Sequence, residues 1–303
     1  MAVENAPGHP AYSGTFIPEV WSTKLDYKFY KSSVFGEISN HDWEGEIKKH
    51  GDIVHIRTIP TITVSDYTKG EVTSPEYPES ANVDLVIDKA KKFFIGIDSI
   101  DKYQSDLDLL DEWAKDAAEQ MKIAIDTQVL GSIYSQVHAS NGGATAGADT
   151  AGFNLGTTAA PVLLTKSNVY DYLTDINTVL DEQSIDAENR WAVIPPWFAN
   201  LIAKSELKDA SLTGDTVSIA RNGRIGSVSG LTLYVSRNLA VVSTTTQVVV
   251  GHSKGLSFAS QMTEMQHFAQ LEGTFGQAMK GLNVYGFVVN APEALARLVC
   301  KKG

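Results

Sequence analysis

The segment QVVVGHSKGLSF, Gln247 to Phe258, carries residue types found in serine hydrolases. A β-branched run meets Gly251-His252-Ser253-Lys254-Gly255, which fits the G-x-S-x-G pattern that exposes a nucleophilic serine on a strained turn. Such a serine needs an acid and then a histidine, delivered in that order by later strands of a parallel sheet. The 50 residues after Ser253 hold His267, Glu264, Glu272 and Glu293 and no aspartate. The one pair in the right order, Glu264 and His267, is three positions apart, too close to come from separate strands. The pattern therefore reads as a strand leaving through a glycine-flanked turn, and no catalytic residue is expected.

Other groupings fail for similar reasons. In SDLDLLDE, Ser105 to Glu112, Asp108 and Asp111 would share a helix face, but carboxylates in a first helical turn are expected from the macrodipole alone. NGRIGSVSG, Asn222 to Gly230, has the glycines of a phosphate loop. It lacks the Lys-Ser/Thr pair and a following helix, so a turn into the strand LTLYVS is expected. Histidines at 9, 41, 50, 55, 138, 252 and 267 show neither His-x-His nor His-Glu-x-x-His spacing, so no metal site is expected. The basic run DKAKKFF, Asp88 to Phe94, lies in a strand pattern and reads as a solvated or intersubunit face rather than a DNA groove. Glu264 and Glu272 would suit the acid pair of a glycosidase, but nothing in the sequence sets their separation. No cofactor is implied.

The bulk numbers narrow the class further. The chain has 303 residues, 43% hydrophobic and 20% charged, which describes one large folded domain or two ordinary ones. Its net charge of −11 argues against a dedicated nucleic-acid binder, because neutralising phosphates needs a basic face. A wall around DNA, by contrast, benefits from not adhering to it. The single cysteine, Cys300, excludes an intrachain disulfide and a cysteine-based zinc site. The opening MAVENAPGHPAYSGTF lacks the basic start and apolar core of a signal peptide. No apolar run reaches the roughly 18 residues of a membrane span, so a soluble chain made in the cytosol is expected.

The elements that would hold any site are read from periodicity. The first 15 residues read as a flexible arm, and Pro18, Trp21, Leu25 and Phe29 predict a short helix over 18–30. Val54, Ile56, Ile62 and Val64 alternate with polar residues, and Val83, Leu85, Ile87, Phe93, Ile95 and Ile97 alternate on the return. Together they predict one long hairpin from about 51 to 97, which cannot stand alone in water. Ser105 would cap the strongest helix, with Leu107, Leu110, Ala114, Ala117, Met121 and Ala124 on one side. Over Asp106 to Val137 that helix would be roughly 48 Å long. Residues 139–161 read as a flexible connector. Beyond it come a helix at Val169–Leu180, the strand RWAVIPP, a helix at Trp197–Leu207 and the strands LTLYVS and TTTQVVVG. Mixed segments follow, then the strand GLNVYGFVVN and a short terminal element, PEALARLV. A mobile arm, a projecting hairpin and a rod longer than its body needs all expose surface that only neighbouring copies would bury.

The runs FIPEVWSTKLDYKFYKSSVFGEI and WEGEIKKHGDIVHIRTIPTITVSDY resemble the N-terminal third of tailed-bacteriophage major capsid proteins of the Hong Kong 97-type fold. GDIVHIRTIP is the most specific part. RWAVIPPWF, GRIGSVSGLTLYVS, VVVGHSKGLSFA and MKGLNVYGFVVNAPEALARLV follow in family order over nearly the whole chain. The resemblance implies an α+β fold with an N-terminal arm (1–38), an extended loop (48–97) lying over a neighbouring subunit, and two domains. The peripheral domain would comprise 39–47, 98–154 and 256–288, with a spine helix at 105–137. The axial domain would comprise 155–255 and 289–303.

The implied function is a structural subunit that self-assembles, through pentamers and hexamers, into an icosahedral head around double-stranded DNA. Separate scaffolding, portal and decoration proteins would be its partners. Packaged DNA would be contacted non-specifically, and no membrane would be involved. The protein would be made in the bacterial cytoplasm and end in the virion. Assembly contacts would fall on the arm and loop, with Trp21, Arg57, Ile59, Tyr67, Lys69, Glu71, Tyr77 and Lys91 as candidates. Some relatives cross-link a loop lysine to an asparagine of another subunit with help from a glutamate. Lys69 lies near the loop tip, but no asparagine or glutamate can be matched to it. An encapsulin-like bacterial shell around an enzyme cargo is the alternative within the same fold.

Overall fold

Val248, Val249 and Val250 are consecutive and all buried, although neighbouring side chains on a strand point to opposite faces. The sheet that holds them is therefore covered on both sides. The computed structural model describes residues 31–43, 53–60, 62–70, 74–80, 82–104, 109–205, 226–271 and 275–303. The helix expected over 18–30, the cap at Ser105 and most of the arm lie outside these residues.

The first half of the chain forms α1 (Phe35–Ile38), β1 (Ile53–Arg57), β2 (Asn82–Val86), β3 (Lys89–Asp98), α2 (Ser99–Gln104) and α3 (Leu109–Ile133). Next come β4 (Val162–Leu164), α4 (Val169–Glu182), β5 (Arg190–Ile194), α5 (Pro196–Lys204), β6 (Ser227–Val228), β7 (Leu231–Val235) and β8 (Val241–Val242). The chain closes with β9 (Thr245–His252), β10 (Leu256–Phe268), β11 (Gly276–Val289) and β12 (Leu295–Lys302).

Seven strands form one mixed sheet in the order β4-β12-β9-β5-β7-β6, with β8 also pairing β9. On one face Ala192, Ile194, Val248, Val250, Ala296 and Leu298 meet Leu173, Ile176 and Leu180 of α4 and Phe198 and Ile202 of α5. On the other, Trp191, Val193, Val249 and Leu295 meet Ile125, Val129, Leu130 and Ile133 of α3 and the β10–β11 pair. Each central strand divides its side chains between two cores, so β9 has no exposed residue.

The apolar spacing of Val169, Leu173, Ile176 and Leu180 produces α4 as expected, all four being buried. α5 starts at Pro196, where a missing backbone N–H costs nothing. α3 is 25 residues long, about 37 Å, and ends at Ile133 rather than Val137. Its buried stripe runs through Ala114, Ile125, Val129 and Ile133. Glu112–Lys115 and Glu119–Lys122 ion pairs, each 2.6 Å, decorate its solvent side.

The long hairpin needs correction. β1 pairs with β2 over only five positions, Ile53 opposite Val86 to Arg57 opposite Asn82. β3 instead pairs with β11, Lys89 opposite Tyr285 to Asp98 opposite Gly276, and β11 pairs with β10 in a three-stranded antiparallel sheet. Alternation reports which face a residue occupies and says nothing about its partner, so two strands were read as one. The connector is also corrected. Ala146 and Leu155 insert into the core, and bridges join Gly142 to Arg297, Gly143 to Gly156 and Ala146 to Phe153. The segments after 251 resolve into the 13-residue β10, and the terminal element is the eight-residue strand β12.

Candidate assembly surface

Between β1 and β2 the chain runs out as a loop with no regular structure over residues 62–68 and 74–80. Its shape is held by its own polar groups. The backbone N–H and hydroxyl of Thr63 donate to Glu76 at 3.1 and 3.3 Å, and the Ser80 hydroxyl donates to the Thr58 carbonyl at 2.5 Å. The apolar side chains have no such cover. Ile59 is 96% exposed, Val64 93%, Tyr77 85% and Tyr67 75%. Arg57 and Lys69 are exposed as well, Lys69 in the turn at the described tip. Six of the expected contact residues are thus located. Arg57, Ile59, Tyr67, Lys69 and Tyr77 share the hairpin and its loop. Lys91 does not: it is half-buried in β3, opposite Asn283 of β11. Trp21 and Glu71 lie outside the described residues.

A second uncovered surface is one that sequence reasoning missed. In the three-stranded sheet, Phe93, Met265 and Asn283 line a cleft with Ala118, Met121 and Ile125 of α3, so the alternate residues face away from that helix. At one end of this outer face the base of the hairpin packs on it, with Ile56, Leu85 and Ile87 against Ala259, Val284 and Val288. At the other end the same face is open. It forms a groove of about 1000 Å³ lined by Lys92, Phe94, Gln266, Phe268, Lys280 and Leu282, among others. Phe94 is 64% exposed and meets Phe268 edge-on at 6.5 Å, while Lys280 Nζ sits 4.8 Å above the Phe268 ring. Gly281 makes room for Phe93 on the opposite face, since a Cβ there would lie 2.2 Å from its ring. Phe94 stands one position out of phase with Phe93, Ile95 and Ile97. That phase was the available signal, but it points to a groove only once β11 and β10 are known as neighbours.

The GHSKG turn has a different geometry from a nucleophile elbow. Ser253–Gly255 form a single 3-10 turn between β9 and β10, with no helix behind it. His252 Nδ1 accepts the Lys254 N–H at 3.1 Å, and the Ser253 N–H donates to the Asn189 carbonyl at 3.3 Å. Burial lowers the pKa of His252 from its ordinary value. Glu264 lies eight residues along β10 from Leu256, the first residue after the turn, roughly 26 Å away on an extended strand. Gly251 is glycine for packing, since a Cβ there would lie 2.4 Å from Leu295 Cδ2 and 3.1 Å from the Trp191 ring. Similarly, Ser227 to Thr232 make a tight β6–β7 hairpin with Ser229 and Gly230 at its turn; residues 222–225 of the NGRIGSVSG motif lie outside the described residues. Among the described residues no group of three or more His, Cys, Asp or Glu side chains is arranged to hold a metal ion. No helix among them is long and apolar enough to cross a membrane.

The uncovered loop and uncovered groove belong to a fold that recurs in phage capsids. A structure from Mycobacterium phage Che8 superimposes with a TM-score of 0.76 at 24% identity, covering 95% of this chain and 98% of the other. The capsid of cyanophage P-SCSP1u gives 0.72 at 14% identity, with 95% and 94% covered. The mature capsid of bacteriophage PhiM1 gives 0.66 at 15%, with 93% and 91% covered. No curated protein matches the chain. The sequence profile of the phage capsid protein family matches residues 83–298, from β2 to the middle of β12. By that match the chain belongs to the phage capsid protein family, and its fold is the Hong Kong 97-type capsid fold.

Proposed function

We propose that this capsid protein is the major shell-building subunit of an icosahedral phage head, assembled from pentamers and hexamers around double-stranded DNA. The carrying observation is the loop, whose exposed Ile59, Val64, Tyr67 and Tyr77 have nothing among the described residues to cover them. Large apolar side chains left this exposed on one loop point to an interaction site. We read α3 with the three-stranded sheet as the peripheral domain and the seven-stranded sheet with α4 and α5 as the axial domain. The loop of one copy lies on the outer sheet face of the next, with the Phe94–Phe268 groove as its seat. That contact joins two unlike patches and so propagates head to tail, closing into rings where the rotation allows. The chain's role is structural and uses no catalytic step. Synthesis takes place in the host bacterial cytoplasm, and scaffolding, portal and decoration functions fall to separate proteins. A bacterial shell around an enzyme cargo is the weaker reading, because the family match is to a phage capsid protein.

The test is a pair of single substitutions at exposed positions, Val64→Glu on the loop and Phe94→Glu in the groove. Both variants should keep the wild-type circular dichroism spectrum and lose most particle yield on sedimentation. Normal particle yield from both would sink the loop-to-groove contact.

A further inference from the structure

Asp126 is fully buried in the middle of α3, and its contacts are to polar hydrogens rather than a cation. Oδ1 accepts the backbone N–H groups of Val34 and Phe35, each at 2.9 Å. Oδ2 accepts Asn238 Nδ2 at 2.7 Å. Asn238 is 4% exposed, and the same nitrogen donates to the Ser32 carbonyl at 3.2 Å. The Ser32 hydroxyl in turn donates to the Val235 carbonyl at 2.8 Å. Three segments far apart in sequence therefore meet at one carboxylate: residues 32–35, α3, and the turn after β7. A buried charge is tolerated only when hydrogen bonds satisfy it, so Asp126 is left wanting if residues 32–35 leave. The Asn238 amide has its nitrogen committed to two acceptors, while its Oδ1 is buried without a partner. The two acceptors on Nδ2 fix the amide's orientation, because turning it over would set Oδ1 against the carboxylate and the Ser32 carbonyl.

We propose that Asp126 and Asn238 form a latch that seats residues 32–35 between the two sheets. Beyond the latch, Ile38 is fully buried, the Phe35 ring lies 4.9 Å from Phe258, and Asn40 exchanges backbone hydrogen bonds with β10 at 2.7 and 3.0 Å. These contacts tie the segment to the three-stranded sheet, and the latch, together with the Ser32–Val235 hydrogen bond, ties it to the end of β7 and the turn after it. Asp126 is thus a positioning residue that joins the segment to both sheets. The expected effect on particles rests on the shell reading above; the seating itself does not.

The experiment uses the full chain and two readouts, limited proteolysis within residues 31–40 and particle yield by electron microscopy. Asp126→Asn is isosteric but turns an acceptor towards the Asn238 nitrogen into a donor. It should speed cleavage in 31–40 by at least about tenfold and deplete particles, with the circular dichroism spectrum unchanged. Cleavage at sites outside residues 31–40 should stay at the wild-type rate, which a loss of stability of the whole fold would not allow. Should Asp126→Asn fail to fold, Asn238→Ala, which leaves the carboxylate with the two segment amides, should show the same faster cleavage. Cleavage within 31–40 at the wild-type rate in the folded single variant, or cleavage sped equally at sites throughout the chain, overturns the latch. Wild-type protein that forms no particles overturns the shell reading instead, while the proteolysis still decides the seating.

Discussion

At Gly251 the packing leaves no space for a methyl group, and this locates the meaning of the GHSKG motif in the approach of the β12 turn. Gly251→Ala should destabilise the fold by about 1–3 kcal/mol, read as a lower urea midpoint. Ser253, half-buried in the turn, should accept alanine with far less loss. The neighbouring His252 gives the turn a pH dependence. Burial depresses its folded pKa, so the folded state binds this proton more weakly than the unfolded chain does. Its contribution is complete above the unfolded value of about 6.5 and is lost as pH falls from there towards the folded value. Melting temperatures measured from about pH 7.5 down to about pH 5 should fall more steeply for the wild type than for His252→Asn, which keeps an acceptor for Lys254. Parallel curves would show that this histidine does not carry the effect. The absence of partners for Ser253 was legible in the sequence, because the 50 residues after it are short of acids. The clash at Gly251 was not, because Leu295 and Trp191 reach it from distant strands.

Among the elements, strands and helices with a strong period were readable and their partners were not. α4, β5, β7 and β9 fall where apolar spacing puts them. The return limb of the hairpin was misread because β2 and β3 continue one alternation through Ile87 and Asp88 while pairing with different strands. α2 was missed, since six residues are too few for a helical period to declare itself. The residues 142–156 looked like a linker from their glycines and alanines, yet Glu182 at the end of α4 clasps them. It accepts the N–H groups of Asp149 and Thr150 at 3.0 and 3.3 Å and the Thr150 hydroxyl at 2.8 Å. For the assembly surface, the loop was legible as an uncovered apolar segment, whereas the groove depended on strand pairing. The pairing also sets how the loop should be removed. Leu85 is fully buried and Ile87 is 7% exposed, so a deletion must stop before β2. Replacing residues 62–80 by a short turn should leave the body folded, with the wild-type melting temperature within a few degrees, and abolish stable shells. Normal shells from this variant would mean that the loop is not the assembly contact.

For the whole molecule, two cores share one sheet, and the loop and outer groove stand at its margins with their apolar surface unspent. The buried body gives each subunit its own stability, while the margins require other copies. A net charge of −11 suits the inner wall of a container whose contents carry phosphate, since a basic wall would hold packaged DNA in place. The roles of loop and groove depend on this chain forming a shell. Electron microscopy of the full-length protein, expressed with and without its candidate scaffolding partner, decides it. Closed icosahedral particles with copies arranged in fives and sixes are expected; only monomers or small discrete oligomers under every condition would overturn shell formation.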